Sequence, residues 1–139
     1  MLSEYRLTRR VQFYETDSAG IVHFSWFYRY MEEAEHALWR EAGLSIAPPG
    51  AECGFPRVAA AFDFHRPLRF EDEFELHLTI EEIALKTIRY GARVMKGDTH
   101  VATGSLTIAC VSTRAGKPMK AIPIPPEITD RLAAVNHGA

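Results

Sequence analysis

A chain of 139 residues, 47% hydrophobic and 24% charged, fits one globular domain and leaves no room for two ordinary ones. Its net charge of −2, with acids and bases interspersed and no basic run, argues against nucleic acid as a partner. No stretch approaches the roughly 18 apolar residues of a membrane span. The charged N-terminus MLSEYRLTRR lacks a signal-peptide core, and two cysteines without CxxC spacing make no disulfide framework, so a cytoplasmic protein with free thiols is expected.

Tyr5 to Phe13 alternates, with Tyr5, Leu7, Val11 and Phe13 on one face and Arg6, Thr8, Arg10 and Gln12 on the other, which predicts a half-buried strand. The turn TDSAG ends it. From about Phe24 to Ala42 the apolar spacing becomes three and four. Phe27, Met31, Ala34 and Leu38 form a stripe widened by Tyr30, Ala37 and Ala42, and Arg29, Glu32, Glu33, Glu35, His36 and Arg40 fill the other side. Such an amphipathic helix would run about 28 Å and end at Gly43 as its C-terminal cap.

SIAPPGAECG reads as a loop, and strand patterns follow it. Val58 to Phe64 is apolar at every second position until RPLRFED interrupts, Pro67 being unable to donate to a ladder. Glu73 to Ile80 alternates through Phe74, Leu76 and Leu78, and Ile88, Tyr90, Ala92 and Val94 repeat the pattern before the hairpin turn KGDT. A last strand spans Val101 to Val111, with Gly104 expected at a bulge. RAGKPMKAIPIPPE is turn and extended chain, and Ile128, Leu132 and Val135 predict a short terminal helix. A strand, a long helix and about four hairpin-linked strands, without βαβ alternation, predict an α+β fold over residues 1–139. The long helix would lie on a curved antiparallel sheet of about five strands. Small residues such as Ala59, Ala61 and Thr107 on the sheet's outer face invite a second subunit.

Most familiar chemistries lack their signature. His23, His36, His65, His77, His100 and His137 show no HxxxH or HExxH spacing, so no metal site is predicted. There is no G-x-S-x-G elbow, Ser25 falls where a helix cap would, and Cys53 sits in a Pro/Gly loop without an adjacent base. Neither a Walker A motif nor G-x-G-x-x-G occurs. What stands out is Asp17 in TDSAG, just before the helix. One reading makes it a turn former whose carboxylate bonds nearby N–H groups. The other makes it catalytic, because a helix start offers unpaired N–H groups and partial positive charge to an oxyanion. Gly20 would let the backbone come close there.

The run V-x-F-x-E-T-D-S-A-G-I-V-H-F followed by F-Y-R-Y-M-E-E-A resembles the hotdog-fold acyl-CoA thioesterases of the 4-hydroxybenzoyl-CoA thioesterase type and the related Tol-Pal-associated thioesterases. The likeness extends more weakly through FHRPLRFEDEFELHLTIEEI. It implies a hotdog fold, a homodimer joined sheet edge to sheet edge and a homotetramer beyond it. It also implies an acyl-CoA substrate at the subunit interface, with CoA part of the substrate and no separate cofactor. Asp17 matches the family's catalytic carboxylate, and the N–H of Phe24 matches the group that polarises the thioester carbonyl. The family's histidine falls one position later than His23, which could assist Asp17, contact the acyl group or simply enter the helix. Phosphate contacts are expected from Lys86, Arg89 and Arg93, with Arg66 and Arg69 as other options. Two further readings are a hydratase or dehydratase on the same fold, using His23 with Glu32 or Glu33, and a non-catalytic carrier whose pocket Phe24, Trp26, Phe27, Tyr28 and Tyr30 would line.

Overall fold

The computed structural model of the protein describes residues 1–135, and His137 lies outside the described residues. The first strand, β1 (Glu4–Arg10), stops short of the predicted span. The Gln12 N–H donates to the Glu15 carboxylate at 2.8 Å, and the chain turns through a 3-10 turn at Phe13–Glu15. Val11 is therefore still fully buried, but Phe13, expected inside, is 72% exposed.

The helix α1 (Ser25–Glu41) has 17 residues and buries Phe27, Tyr30, Met31, Ala34, Leu38 and Trp39. Gly43 follows with φ +77°, the left-handed conformation that a helix C-terminus favours and that glycine adopts without strain. One residue breaks the predicted polar face: the Glu35 side chain is 0% exposed. Arg57 reaches it from the neighbouring strand with both terminal nitrogens. Beside it the Trp39 indole N–H donates to the Tyr90 hydroxyl at 3.0 Å. Burial, and then the Glu35 charge, hold that phenol well above its ordinary pKa.

After α1 come β2 (Cys53–Gly54), β3 (Arg57–Phe64), β4 (Glu73–Ile83), β5 (Thr87–Lys96), β6 (Thr99–Ala109), β7 (Val111–Ser112), β8 (Lys120–Ala121) and α2 (Pro126–Thr129). Five strands form one antiparallel sheet in the order β1-β4-β5-β6-β3. The helix stripe packs on its inward residues, including Phe74, Leu76, Leu78, Ile80, Ile88, Tyr90 and Val94. This is the α+β arrangement expected, one long helix on a five-stranded antiparallel sheet.

The differences lie in the details. The last long strand is broken at Cys110, whose N–H donates to the Lys86 carbonyl at 2.8 Å. The segments read as loop and extended chain supply β2 and β8, which pair on either side of β7, at the end of the predicted last strand, in a second sheet of order β2-β7-β8. The terminal helix has four residues and precedes Leu132 and Val135. Gly104 is not at a bulge, because its register with Phe62 and Ala92 is regular. A Cβ there would lie 2.4 Å from the Phe62 ring, so glycine is required for that ring's approach.

Candidate active site

The chain from Glu15 to Phe24 folds back on itself as a short antiparallel ladder. Thr16 bridges Val22, the Asp17 N–H donates to the Ile21 carbonyl at 2.9 Å, and the His23 N–H donates to the Glu15 carbonyl at 2.9 Å. Asp17 shapes the tip: its Oδ1 accepts the Ala19 N–H at 2.9 Å, and its carbonyl accepts the Gly20 N–H at 3.0 Å. Gly20 has φ +79°, and no protein atom lies within 4 Å of where its Cβ would be. What that position asks of glycine is the left-handed φ rather than close packing of the protein backbone.

The ladder delivers the chain to α1. Phe24 precedes the first helical residue, and no side chain caps that end through it. The His23 ring turns back to the helix instead. Its Nδ1 lies 2.8 Å from the Ser25 hydroxyl and accepts the Ser25 N–H at 3.3 Å, and the ring lies 4.7 Å from that of Phe24. Among the described residues, neither the Phe24 N–H nor the second Asp17 carboxylate oxygen has a hydrogen-bond partner.

Both residues border one cavity of about 560 Å³. Ile21, Val22 and Phe27 line it from the ladder and helix, and Phe64, His65, Arg66, Pro67, Leu68 and Arg69 from the segment after β3. That second wall is held in place by main-chain bonds. His65 and Arg66 both donate to the Val101 carbonyl at 2.8 and 3.1 Å, and Val22 donates to the Leu68 carbonyl at 2.8 Å. Asp72 accepts the Arg69 N–H at 2.8 Å and pairs with Lys96 at 2.9 Å. Burial opposes its ionisation, but those two partners outweigh it and hold the carboxyl below the usual range.

The structure therefore brings Asp17 and Phe24 together and leaves His23 outside the cavity lining. Of the five aromatic residues near the helix start, Phe24 and Phe27 line the cavity, whereas Tyr30 is core. The pairing a hydratase would use is not assembled. His23 is engaged by Ser25, Glu33 pairs with Arg9 at 3.1 Å, and Glu32 lies 3.7 Å from His36. Arg89 and Arg93 lie on the outward face of β5, and Lys86 sits in the preceding turn. The cations at the cavity itself are Arg66 and Arg69. Among the described residues no group of three or more His, Cys, Asp or Glu is placed to hold a metal ion. No helix among them is long and apolar enough to cross a membrane.

Sequence reasoning missed two things. Phe64 and His65 complete the cavity wall although their stretch read only as a strand end. Glu15, within the motif, is fully buried. The signal for the latter was present as the Gln12/Glu15 capping-box spacing, with Arg9 the next-to-last residue of β1.

A family model described as the thioesterase-like superfamily matches residues 11–132, a span that holds the ladder, α1 and all five strands of the main sheet except β1. The chain belongs to the thioesterase-like superfamily. The thioester-hydrolase class expected from the sequence stands with that membership. Three similar members illustrate the range. A crystal structure of a hypothetical protein from Aquifex aeolicus superposes with a TM-score of 0.85 at 33% identity, covering 93% of this chain and 99% of that one. A gentisyl-coenzyme A thioesterase of known structure gives a TM-score of 0.81 at 28% identity, covering 92% and 99%. A 1,4-dihydroxy-2-naphthoyl-CoA hydrolase from a Synechococcus species is 28% identical over 117 residues, 78% of this chain and 76% of that protein. The two relatives with a named substrate carry 1,4-dihydroxy-2-naphthoyl and gentisyl groups in their names, not the 4-hydroxybenzoyl group of the family type that the motif resembles.

Proposed function

We propose that the protein hydrolyses an acyl-CoA thioester to a carboxylic acid and CoA, with Asp17 acting on the thioester and the Phe24 N–H receiving its carbonyl oxygen. One juxtaposition carries this reading: Asp17, with one carboxylate oxygen unpartnered among the described residues, and Phe24, with an equally unpartnered N–H at the helix start, line the same largely apolar cavity. Negative charge that develops on the carbonyl oxygen in the tetrahedral intermediate is stabilised by a donor already in place and by the positive end of α1. Asp17 has two routes. As nucleophile it attacks the carbonyl carbon and expels the CoA thiolate, leaving a mixed anhydride that water opens. As general base it takes a proton from the attacking water. CoA leaves as a product, and neither route calls for a separate cofactor. A cytoplasmic location suits such a substrate.

The walls formed by Phe24, Phe27, Phe64 and Leu68 suit a flat aromatic acyl group better than a long flexible one. The acyl groups named for the two thioesterase relatives are hydroxylated aromatic carboxylates, which supports the same choice. Arg66 and Arg69 at the cavity are the nearest cations for the CoA phosphates, with Lys86, Arg89 and Arg93 the alternative set. Thiol release from acetyl-, hexanoyl-, palmitoyl-, benzoyl- and 4-hydroxybenzoyl-CoA tests both points. The aromatic esters are expected to have the highest kcat/KM, and a preference for palmitoyl-CoA would overturn the aromatic assignment. Arg66→Ala with Arg69→Ala is expected to raise KM for a CoA ester about tenfold through lost charge-assisted bonds. The same pair should leave KM for the corresponding N-acetylcysteamine ester, which has no phosphate, unchanged. The same pattern from Lys86→Ala, Arg89→Ala and Arg93→Ala instead would move the phosphates to the outer face of β5.

The two edges of the main sheet differ. β1 carries Glu4, Arg6, Arg9 and Arg10, charges that discourage pairing, whereas β3 runs VAAAF through its middle with Val58 59% exposed. We take β3 as the edge that pairs with a second copy in a homodimer, from which the expected homotetramer would be built. Light scattering on the eluting protein should give at least twice the chain mass, and a monomer across the micromolar range would refute it.

A further inference from the structure

The geometry points to Glu15 as the positioning residue of this site, the group that fixes the spacing between the Asp17 carboxylate and the Phe24 N–H. This inference rests on the catalytic reading of those two groups. Asp17 sits on the first arm of the ladder that starts at Glu15, and Phe24 directly follows its second arm, which ends at His23. The tip of that ladder is closed by the Asp17 turn itself. Its open end is closed by Glu15, whose carbonyl accepts the His23 N–H, the donor next to the Phe24 N–H, which has no partner among the described residues.

The Glu15 side chain is 0% exposed, and its carboxylate joins three elements. Oε1 accepts the Gln12 N–H at 2.8 Å and the Tyr30 hydroxyl at 2.9 Å, and Oε2 pairs with Arg9. Arg9 in turn pairs with Glu33 on α1 at 3.1 Å, and its guanidinium lies 4.8 Å from the centre of the Tyr30 ring. Glu15 thus ties the first arm of the ladder to β1 through Arg9 and to α1 through Tyr30. The second arm runs straight into α1. Both arms are therefore referenced to the same helix, and the carboxylate–donor spacing follows from that double attachment. The charges agree: burial alone would lower the Arg9 pKa, yet its bonds to Glu15 and Glu33 hold it above the ordinary value. Burial, and then Glu15, raise that of Tyr30.

A buried ion-paired carboxylate can also be merely structural, and the molecule contains a matched control. Glu35 is equally buried and equally paired to an arginine, but it faces Arg57 and β3 and does not line the Asp17 cavity. Glu15→Gln is expected to lower kcat on a CoA thioester about 100-fold with KM within threefold, as for misplaced reacting groups. Glu35→Gln, compared at matched stability loss in urea, should leave kcat within twofold. Tyr30→Phe, which removes one of the Glu15 bonds, should lower kcat about fivefold. Hydrogen exchange at the His23 amide should speed up in Glu15→Gln and not in Glu35→Gln. If kcat falls equally in the two Gln variants, or is unchanged in Glu15→Gln, the positioning role is wrong. A wild-type protein that hydrolyses no thioester would sink the catalytic reading alone. The His23 exchange rates would then still decide whether Glu15 holds the ladder, unchanged exchange overturning the inference.

Discussion

Asp17→Asn is expected to lower kcat on a CoA thioester by about 1,000-fold, close to 4 kcal/mol in the barrier, with KM within threefold and the fold intact. The substitution separates the two roles of this residue. The turn at the tip of the ladder depends on Oδ1 accepting the Ala19 N–H, and an asparagine amide oxygen accepts that bond equally well. The left-handed Gly20 and the Asp17–Ile21 main-chain bond do not depend on the side-chain charge. What asparagine lacks is the negative charge, and with it both the nucleophile and the base. Thiol release by the two proteins side by side, with circular dichroism to check the fold, measures the difference. Equal turnover would return Asp17 to the role of turn former and leave the cavity without an identified reactive group. Under single turnover in labelled water, solvent oxygen entering Asp17 marks the anhydride route.

Arg57→Met is expected to cost about 3 kcal/mol of stability, towards the lower end of the range for breaking a buried pair because the Arg57 side chain is 31% exposed. The loss comes from what is left behind. Glu35 lies inside the helix–sheet interface with 0% exposure, and its remaining neighbours, His36 at 3.7 Å and the Tyr90 phenol, do not replace a guanidinium held by two nitrogens. Burying an uncompensated carboxylate is more unfavourable than having no charge there at all. The double variant Glu35→Met with Arg57→Met should therefore recover most of the stability, which urea unfolding of the four proteins in the cycle would show as a positive coupling. A single-variant loss below about 1 kcal/mol would mean that water reaches Glu35 and that the pair is in effect a surface one.

These two experiments probe features of different legibility. Asp17 and the helix start were visible because everything that places them is local: the turn residues, the positive-φ glycine and the onset of a 3.6-residue period lie within a dozen positions. The partners of Glu35 were not. It sits among acids that face solvent, and only the arrival of Arg57 from β3 and of Tyr90 from β5 makes it a paired interior residue. Phe13 failed in the opposite sense. Strand alternation put it inside, but a capping interaction between Gln12 and Glu15 ended the strand first, and local hydrogen bonding overrode the pattern. Gly104 looked like a bulge, because an isolated glycine in a strand signals either a bulge or close approach, and only the position of the Phe62 ring distinguishes them.

By itself, then, the sequence determined the order of the long elements, the inward faces of β4 and β5, the long helix and its boundaries, and the turn that presents Asp17 beside Phe24. Each of these depends on periodicity or on backbone preferences over short spans. The tertiary structure alone decided that the Phe64–Arg69 segment closes the other side of the cavity. It likewise decided that Arg66 and Arg69 rather than the β5 cations border that cavity, and that Glu15 and Glu35 are interior. Those outcomes depend on which distant segments meet. A charged residue's burial is set by the partner that arrives from elsewhere in the chain, and no local pattern records that partner.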